Sequence, residues 1–175
     1  MGEDKTIIAG IEVPSTDPLF LAIVTVHIVL GMACVTTGAI AMLSAKRPGR
    51  HPLHGTLYYW TLTLVFVTTS ALSFMRWEAN NHLFVLGVLA FAAVHIGRES
   101  HRRRWTNWIP IHIAGMGSSY ILLLTAFYVD NGKQLPLWRD PPHWTYWTLP
   151  ALVGVPIVVW ALLSHPLMRR SAVDR

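Results

Sequence analysis

Five apolar stretches, each about as long as a helix needs to cross a lipid bilayer, constrain this chain more than any other feature. They lie roughly at residues 19–43, 53–75, 82–98, 108–129 and 146–165. A hydrocarbon core is crossed by about 20 apolar residues in a helix, and 53% of the 175 residues are hydrophobic while only 13% are charged. We therefore predict an all-α fold: an integral membrane bundle of five transmembrane helices that forms a single domain over residues 1–175.

Charged residues concentrate in the connections between these stretches, and the positive ones favour one side of the membrane. When the connections are assigned alternately to two sides, one side, called inner below, carries ten basic residues: Lys46, Arg47, Arg50, Arg98, Arg102, Arg103, Arg104, Arg169, Arg170 and Arg175. The outer side carries four, which are Lys5, Arg76, Lys133 and Arg139. Because cytoplasmic connections are enriched in Lys and Arg, the N-terminus is predicted outside and the C-terminus inside. This topology accounts for the positive charge, so the expected partner is the lipid bilayer and not nucleic acid.

The residues available within the spans exclude several kinds of site. Cys34 is the only cysteine, so the chain has no intramolecular disulfide, zinc ribbon or c-type haem attachment motif. No Asp or Glu lies inside a predicted span, which removes carboxylate proton relays and di-iron carboxylate sites. A histidine-based metal hydrolase ranks last, because it would have no carboxylate as general base. Histidine remains, at nine positions: His27, His51, His54, His82, His95, His101, His112, His143 and His165.

His27 is the one histidine that lies deep within a predicted span. An ionisable group at this depth is costly and by default faces the interior of the bundle, so His27 is a candidate binding residue. The same helix face continues through Gly31, Cys34 and Gly38. Small residues there allow either a flat macrocycle or another helix to approach. The alternative is a neutral imidazole that is hydrogen-bonded to a neighbouring Ser, Thr or Tyr.

A second group of histidines lies near the inner ends of the helices. On the second helix, His51 and His54 share faces with Gly55 and Tyr58. On the fourth helix one stripe contains several polar or sulfur-bearing groups, namely His112, Gly115, Met116, Ser119 and Tyr120. If these two helices are neighbours, histidines at matched depth face each other, as bis-histidine ligation of b-type haem requires.

In that interpretation His112 and either His51 or His54 ligate the iron, and Met116 is the substitute ligand on the fourth helix. Tyr58 and Tyr120 are hydrogen-bond donors around the cofactor, while Gly55 and Gly115 make room for the ring. The inner arginines, Arg50, Arg98, Arg102, Arg103 and Arg104, are partners for the haem propionates. The alternative is that these histidines are simply solvated at the interface. A zinc or copper site held by histidines such as His51 and His112 is also chemically permitted.

Two motifs resemble the signatures of a family of small bacterial multi-pass membrane proteins that is catalogued as a domain of unknown function. The stretch His51-Pro-Leu-His-Gly55-Thr-Leu-Tyr58 is similar to its H-R-x-x-G-x-x-Y signature, with Pro52 in place of the Arg. The stretch from His112 to Tyr120 resembles H-R-x-W-M-x-R-S-Y at His, Met, Ser and Tyr, but lacks its two arginines and its tryptophan. The first helix also resembles that family's opening H-x-x-x-G at His27 and Gly31.

This resemblance covers roughly residues 20–125 and carries implications of its own. It implies a location in the cytoplasmic membrane of a bacterium and a functional set of His27, His51, His112, Met116 and Tyr120, with less weight on His54 and His95. The missing arginines place in question any polar ligand that relatives bind through them. A more distant similarity to cytochrome b561-type haem bundles concerns architecture only.

Two functions of different class follow from these observations. The first is a membrane protein that binds b-type haem and acts in electron transfer, or as an accessory subunit to a membrane redox partner. The second is a non-catalytic assembly subunit, whose histidines only hydrogen-bond helices together and whose basic inner face binds a protein or anionic lipid.

Overall fold

The computed structural model describes residues 6–8, 11–13, 17–135 and 140–165. Its five long helices are α1 (Pro18–Leu43), α2 (Arg50–Met75), α3 (Trp77–Arg102), α4 (Trp108–Asn131) and α5 (Trp144–Ser164). A 3₁₀ turn, Gly132–Gln134, follows α4. All five helices are long and apolar enough to cross a membrane. The predicted all-α fold with five membrane-spanning helices is thereby confirmed.

The third helix is longer at both ends than the predicted span 82–98. It begins at Trp77, so that Arg76 alone separates it from α2, and it continues to Arg102. At its inner end the Glu99 carboxylate accepts from Arg102 Nη1 at 3.0 Å and from Arg103 Nε at 2.8 Å. Ion pairs at these spacings favour helix. Hydropathy detects the apolar middle of a helix, whereas its polar end turns depend on such pairs.

Two short strands precede the first helix and had not been expected. Strand β1 (Thr6–Ile8) pairs antiparallel with β2 (Ile11–Val13), with Thr6 opposite Val13 and Ile8 opposite Ile11. The signal for them is present in the sequence, since β-branched residues dominate both segments and two residues separate them. The pair lies outside the five helices and leaves the fold class unchanged.

The chain divides into two compact units, Met1–Val85 and Leu86–Arg175, and the boundary between them lies inside α3. That residues 1–175 form one domain stays a prediction. In the first unit α1 packs along α2, and Cys34, Tyr58 and Leu62 are almost completely buried. The Cys34 thiol contacts the backbone carbonyl of Tyr58 at 4.0 Å. At Cys34, the stripe of small residues on α1 therefore packs against α2. We call this contact between α1 and α2 the seam.

In the second unit, α3 and α4 approach each other at two glycines. A Cβ atom on Gly115 would lie 2.7 Å from the Ala93 carbonyl oxygen and 2.8 Å from the Gly97 Cα. Such distances are not tolerated between real atoms, so this contact requires glycine. The expectation that Gly115 makes room for a haem ring is wrong, because the backbone of α3 occupies that space.

The contact between α4 and α5 uses glycines reciprocally. Gly117 of α4 faces the Val158 side chain, and Gly154 of α5 faces that of Ile121. At the outer end, a Cβ atom on Gly132 would meet the ring of Tyr146, which is 1% exposed. Small residues that admit a neighbouring side chain are the usual means by which helices pack in a bilayer.

We expect Gly115→Ala to destabilise the protein, because the new methyl group would push α3 and α4 apart. Overpacking of this kind costs about 1–3 kcal/mol. Gly31→Ala is the matched control, since no described atom lies within 4 Å of the position that its Cβ would take. Thermal unfolding in detergent should show a lower midpoint for Gly115→Ala and an unchanged or slightly higher one for Gly31→Ala. Equal midpoints would contradict the close contact.

Candidate functional site

His27 is hydrogen-bonded across the seam between α1 and α2. Its Nδ1 lies 2.8 Å from the hydroxyl oxygen of Thr68. That hydroxyl is also 3.1 and 2.9 Å from the carbonyls of Leu64 and Val65, which can only accept. The Thr68 hydroxyl thus hydrogen-bonds both to the backbone of its own helix and to the imidazole of α1, and this contact joins the two helices. This is the hydrogen-bonded arrangement that the sequence offered as the alternative for His27.

His51 connects the beginning of α2 to the end of α1. Its Nδ1 is 2.8 Å from the carbonyl oxygen of Ala41, which fixes the proton on Nδ1. Lys46 Nζ donates to the same oxygen at 3.1 Å and to that of Met42 at 2.6 Å. Carbonyls in the last turn of a helix have no partner within the helix, and these two side chains supply one. Lys46 is exposed, and partial desolvation of its ammonium group lowers its pKa from the usual value.

His54 lies one turn further along α2 and is bonded within its own helix. Its Nδ1 is 2.9 Å from the carbonyl oxygen of Arg50. Beside it, Gly55 faces open space, with no described atom within 4 Å of the position of a Cβ. Tyr58, the next residue on this face, is 2% exposed and packs into the seam with α1. At the inner end of α2, two imidazoles are thus oriented by hydrogen bonds next to the open space at Gly55.

His112 is bonded to α3 at the close contact with α4. Its Nδ1 lies 2.9 Å from the carbonyl oxygen of Gly97. Its ring centre is 5.3 Å from that of His101, whose ring in turn lies 5.0 Å from Trp108. His101 was expected in the basic connection, but it belongs to the last turn of α3 and lies beside α4. Only the ion pairs of Glu99 could have indicated that extension.

The remaining residues of the α4 stripe form a partly buried face. Ser119 is completely buried, and its hydroxyl donates to the carbonyl of Met116 at 2.8 Å. The backbone nitrogen of Met116 would lie 3.0 Å from a Cβ on Gly97, so this part of the helix belongs to the contact with α3. Met116 and Tyr120 themselves are half-buried.

Four predicted histidines share one chemical feature, although they lie in different parts of the chain. His27, His51 and His54 belong to the first unit and His112 to the second, and each directs Nδ1 to an oxygen. For His51, His54 and His112 that oxygen is a carbonyl, so the proton is on Nδ1. With the ring neutral, Nε2 then carries the lone pair, which is the tautomer of histidines that ligate metals through Nε2. Over the described ranges, no three His, Cys, Asp or Glu side chains come together as a metal-binding group.

Comparisons with known proteins provide no functional relative. No family model matches the sequence, and neither a curated protein nor a solved structure is similar enough to count as a match. The geometry of the histidines is therefore the basis for the function proposed below.

Thr68→Val should destabilise the protein, because it removes the hydroxyl that is hydrogen-bonded to His27. Hydrogen bonds between membrane helices contribute about 0.6–1.7 kcal/mol. Thr63→Val is the matched control, since the Thr63 hydroxyl donates to the Tyr59 carbonyl of its own helix at 2.8 Å. Unfolding free energies should fall for the first variant and change little for the second. In a His27→Ala background the effect of Thr68→Val should vanish, and persistence of the full effect would refute the pairing.

Proposed function

We propose that this multi-pass membrane protein binds b-type haem through His112 on α4 and a histidine on α2, and that it acts in electron transfer or as a redox accessory subunit. The observation that carries the proposal is the orientation of these imidazoles. His112 and His51 each donate Nδ1–H to a backbone carbonyl, at 2.9 and 2.8 Å. This contact leaves Nε2 unprotonated and raises its strength as an iron ligand.

The topology predicted from the sequence gives two ligands at similar depth. His54 is the fifth residue of α2, and His112 is the fifth residue of α4. Both helices are predicted to run from the inner to the outer side. Depth therefore favours His54 as the partner of His112, whereas the family resemblance favours His51. The single variants of the two residues discriminate between these ligands.

More open space lies beside the α2 histidines, at Gly55, than beside His112, at Gly115. The open position at Gly55 adjoins His54 and lies one turn from His51. At Gly115 the backbone of α3 fills the equivalent space. The bound haem would supply one-electron chemistry, while these side chains bind and orient it.

The partners proposed for the haem propionates are fewer than the sequence suggested. Arg102 and Arg103 already bind Glu99, and Arg104 lies over the ring of Trp108 at 4.6 Å. We retain two propionate partners: Arg50, which directly precedes His51 at the start of α2, and Arg98 of α3.

A second candidate function is supported by the same hydrogen bonds. His27 and His51 join α1 to α2, while His112 joins α3 to α4. A membrane-embedded assembly subunit would need no more from its histidines than these bridges. A zinc or copper protein is a third possibility, for which the structure adds no specific support.

Purified protein should be coloured, with a Soret band that shifts on reduction by dithionite. We expect His112→Ala to lower the haem-to-protein ratio at least about tenfold, since even loss of a residue that supports a metal ligand costs that much. His95→Ala is the matched control, because His95 also lies near the inner end but is exposed and packs against Phe91 at 5.9 Å. His51→Ala and His54→Ala, measured in parallel, should identify the ligand on α2.

The outcomes separate the candidate functions. Colourless protein that takes up no added haemin would overturn the haem proposal. If His112→Ala then only lowers the unfolding midpoint, the assembly function is supported. Zinc or copper found by elemental analysis at a stoichiometric level, and lost in the histidine variants, would support the metal protein instead.

A further inference from the structure

The turn between α3 and α4 has a defined backbone and a high density of positive charge. Arg104 and Asn107 have left-handed backbone angles, with φ of 52° and 61°. The amide of Trp105 donates to the Ser100 carbonyl at 3.2 Å, and that of Trp108 donates to the Trp105 carbonyl at 3.0 Å. A non-glycine residue seldom adopts a positive φ unless the surrounding structure imposes it. The side chains of this turn are therefore presented in a fixed direction.

The three consecutive arginines of this turn have different surroundings. Arg102 and Arg103 share the two carboxylate oxygens of Glu99. The guanidinium of Arg104 instead lies 4.6 Å above the ring of Trp108. A cation–π contact of this kind attracts the guanidinium to the face of the ring and restrains the side chain. Arg104 thus presents a charge that Glu99 does not neutralise, on a side chain that is already oriented.

The residues around Arg104 are of the kinds that occur at the level of lipid headgroups. The exposed Trp105 and the half-buried Trp108 lie where two membrane-spanning helices meet the turn, and tryptophan is enriched at that level of a bilayer. The ring of His101 packs edge-on against Trp108 at 5.0 Å. A guanidinium with two parallel donors is complementary to two oxygens of a phosphate.

We propose that the turn at residues 103–107 binds the phosphate of an anionic phospholipid, with Arg104 as the principal contact and Trp108 holding its guanidinium in place. This surface is a different site from the haem-binding histidines and does not depend on them. Its partner is an anionic lipid because the turn is positively charged and adjoins membrane-spanning helices. Zwitterionic lipids carry a compensating cation, so Arg104 should discriminate against them.

The test is a titration of the full-length protein in detergent with phosphatidylglycerol or phosphatidylcholine, followed by native mass spectrometry. We expect Arg104→Gln to weaken phosphatidylglycerol binding about tenfold, as loss of a bidentate ionic contact should. Arg102→Gln and Arg103→Gln are the matched controls, because each removes one positive charge from the same end of α3 but affects an arginine already bound to Glu99. Each control should weaken binding less than about threefold. Arg104→Lys retains the charge but lacks the two parallel donors of the guanidinium. Its affinity for phosphatidylglycerol should therefore lie between those of wild type and Arg104→Gln.

Several results would overturn this proposal. Equal weakening by the three glutamine variants would show attraction by overall charge only, and equal binding of both lipids would remove the anionic preference. Displacement of phosphatidylglycerol by millimolar inorganic phosphate would indicate a soluble anion as the occupant. Haem content is measured on the same samples, and haem loss in Arg104→Gln would assign this arginine to a propionate. Unchanged haem with weakened lipid binding supports the proposal even if the identity of the haem ligands proves wrong.

Discussion

A lipid bilayer provides no water to satisfy backbone N–H and C=O groups, and most of this structure follows from that constraint. Helices satisfy these groups internally, and five helices account for nearly all of the described chain. The constraint is hardest to meet at helix ends, where the last carbonyls have no intrahelical partner. At the end of α1 this need is met by His51 and Lys46, which converge on the carbonyl of Ala41. His51, one of the candidate ligands, therefore also provides a hydrogen-bond donor for a carbonyl at the end of α1.

Polar side chains within the helices obey the same constraint. Among the described residues, every buried side-chain nitrogen or oxygen has a hydrogen-bond partner. Most hydroxyls donate to a carbonyl three or four residues earlier in their own helix, as Thr63, Ser70 and Ser119 do. The Thr68 hydroxyl in addition hydrogen-bonds to Nδ1 of His27. Carbonyl acceptors orient His51, His54 and His112 in a similar way, so the proton of each of these rings is on Nδ1.

Glycines have opposite roles in the two units. In the second unit Gly97, Gly115, Gly117 and Gly154 admit neighbouring backbone or side chains, and at Gly115 the neighbouring backbone is too close for any other residue. In the first unit Gly31 and Gly55 have no described atom near the position of a Cβ, so the packing of described residues gives no reason for glycine there. Gly31 follows His27 by one helical turn, and Gly55 directly follows His54. The described packing therefore leaves space at these glycines of α1 and α2, and none at Gly115, the glycine of α4 that shares the stripe of His112.

The sequence by itself determined the five membrane helices, because apolar length is a local property that each segment carries alone. It also limited the candidate site residues, since the absence of Asp and Glu from the predicted spans left histidine as the main candidate. Only the tertiary structure decided what the histidines contact and where space remains. The carbonyl that orients His112 belongs to a residue 15 positions earlier, and His27 meets Thr68 41 positions later. Such partners depend on which helix faces approach each other, and the spacing within one helix contains no information about them. For the same reason Gly115, which the stripe on α4 suggested as space for a ring, proved to be the point at which another helix fills that space.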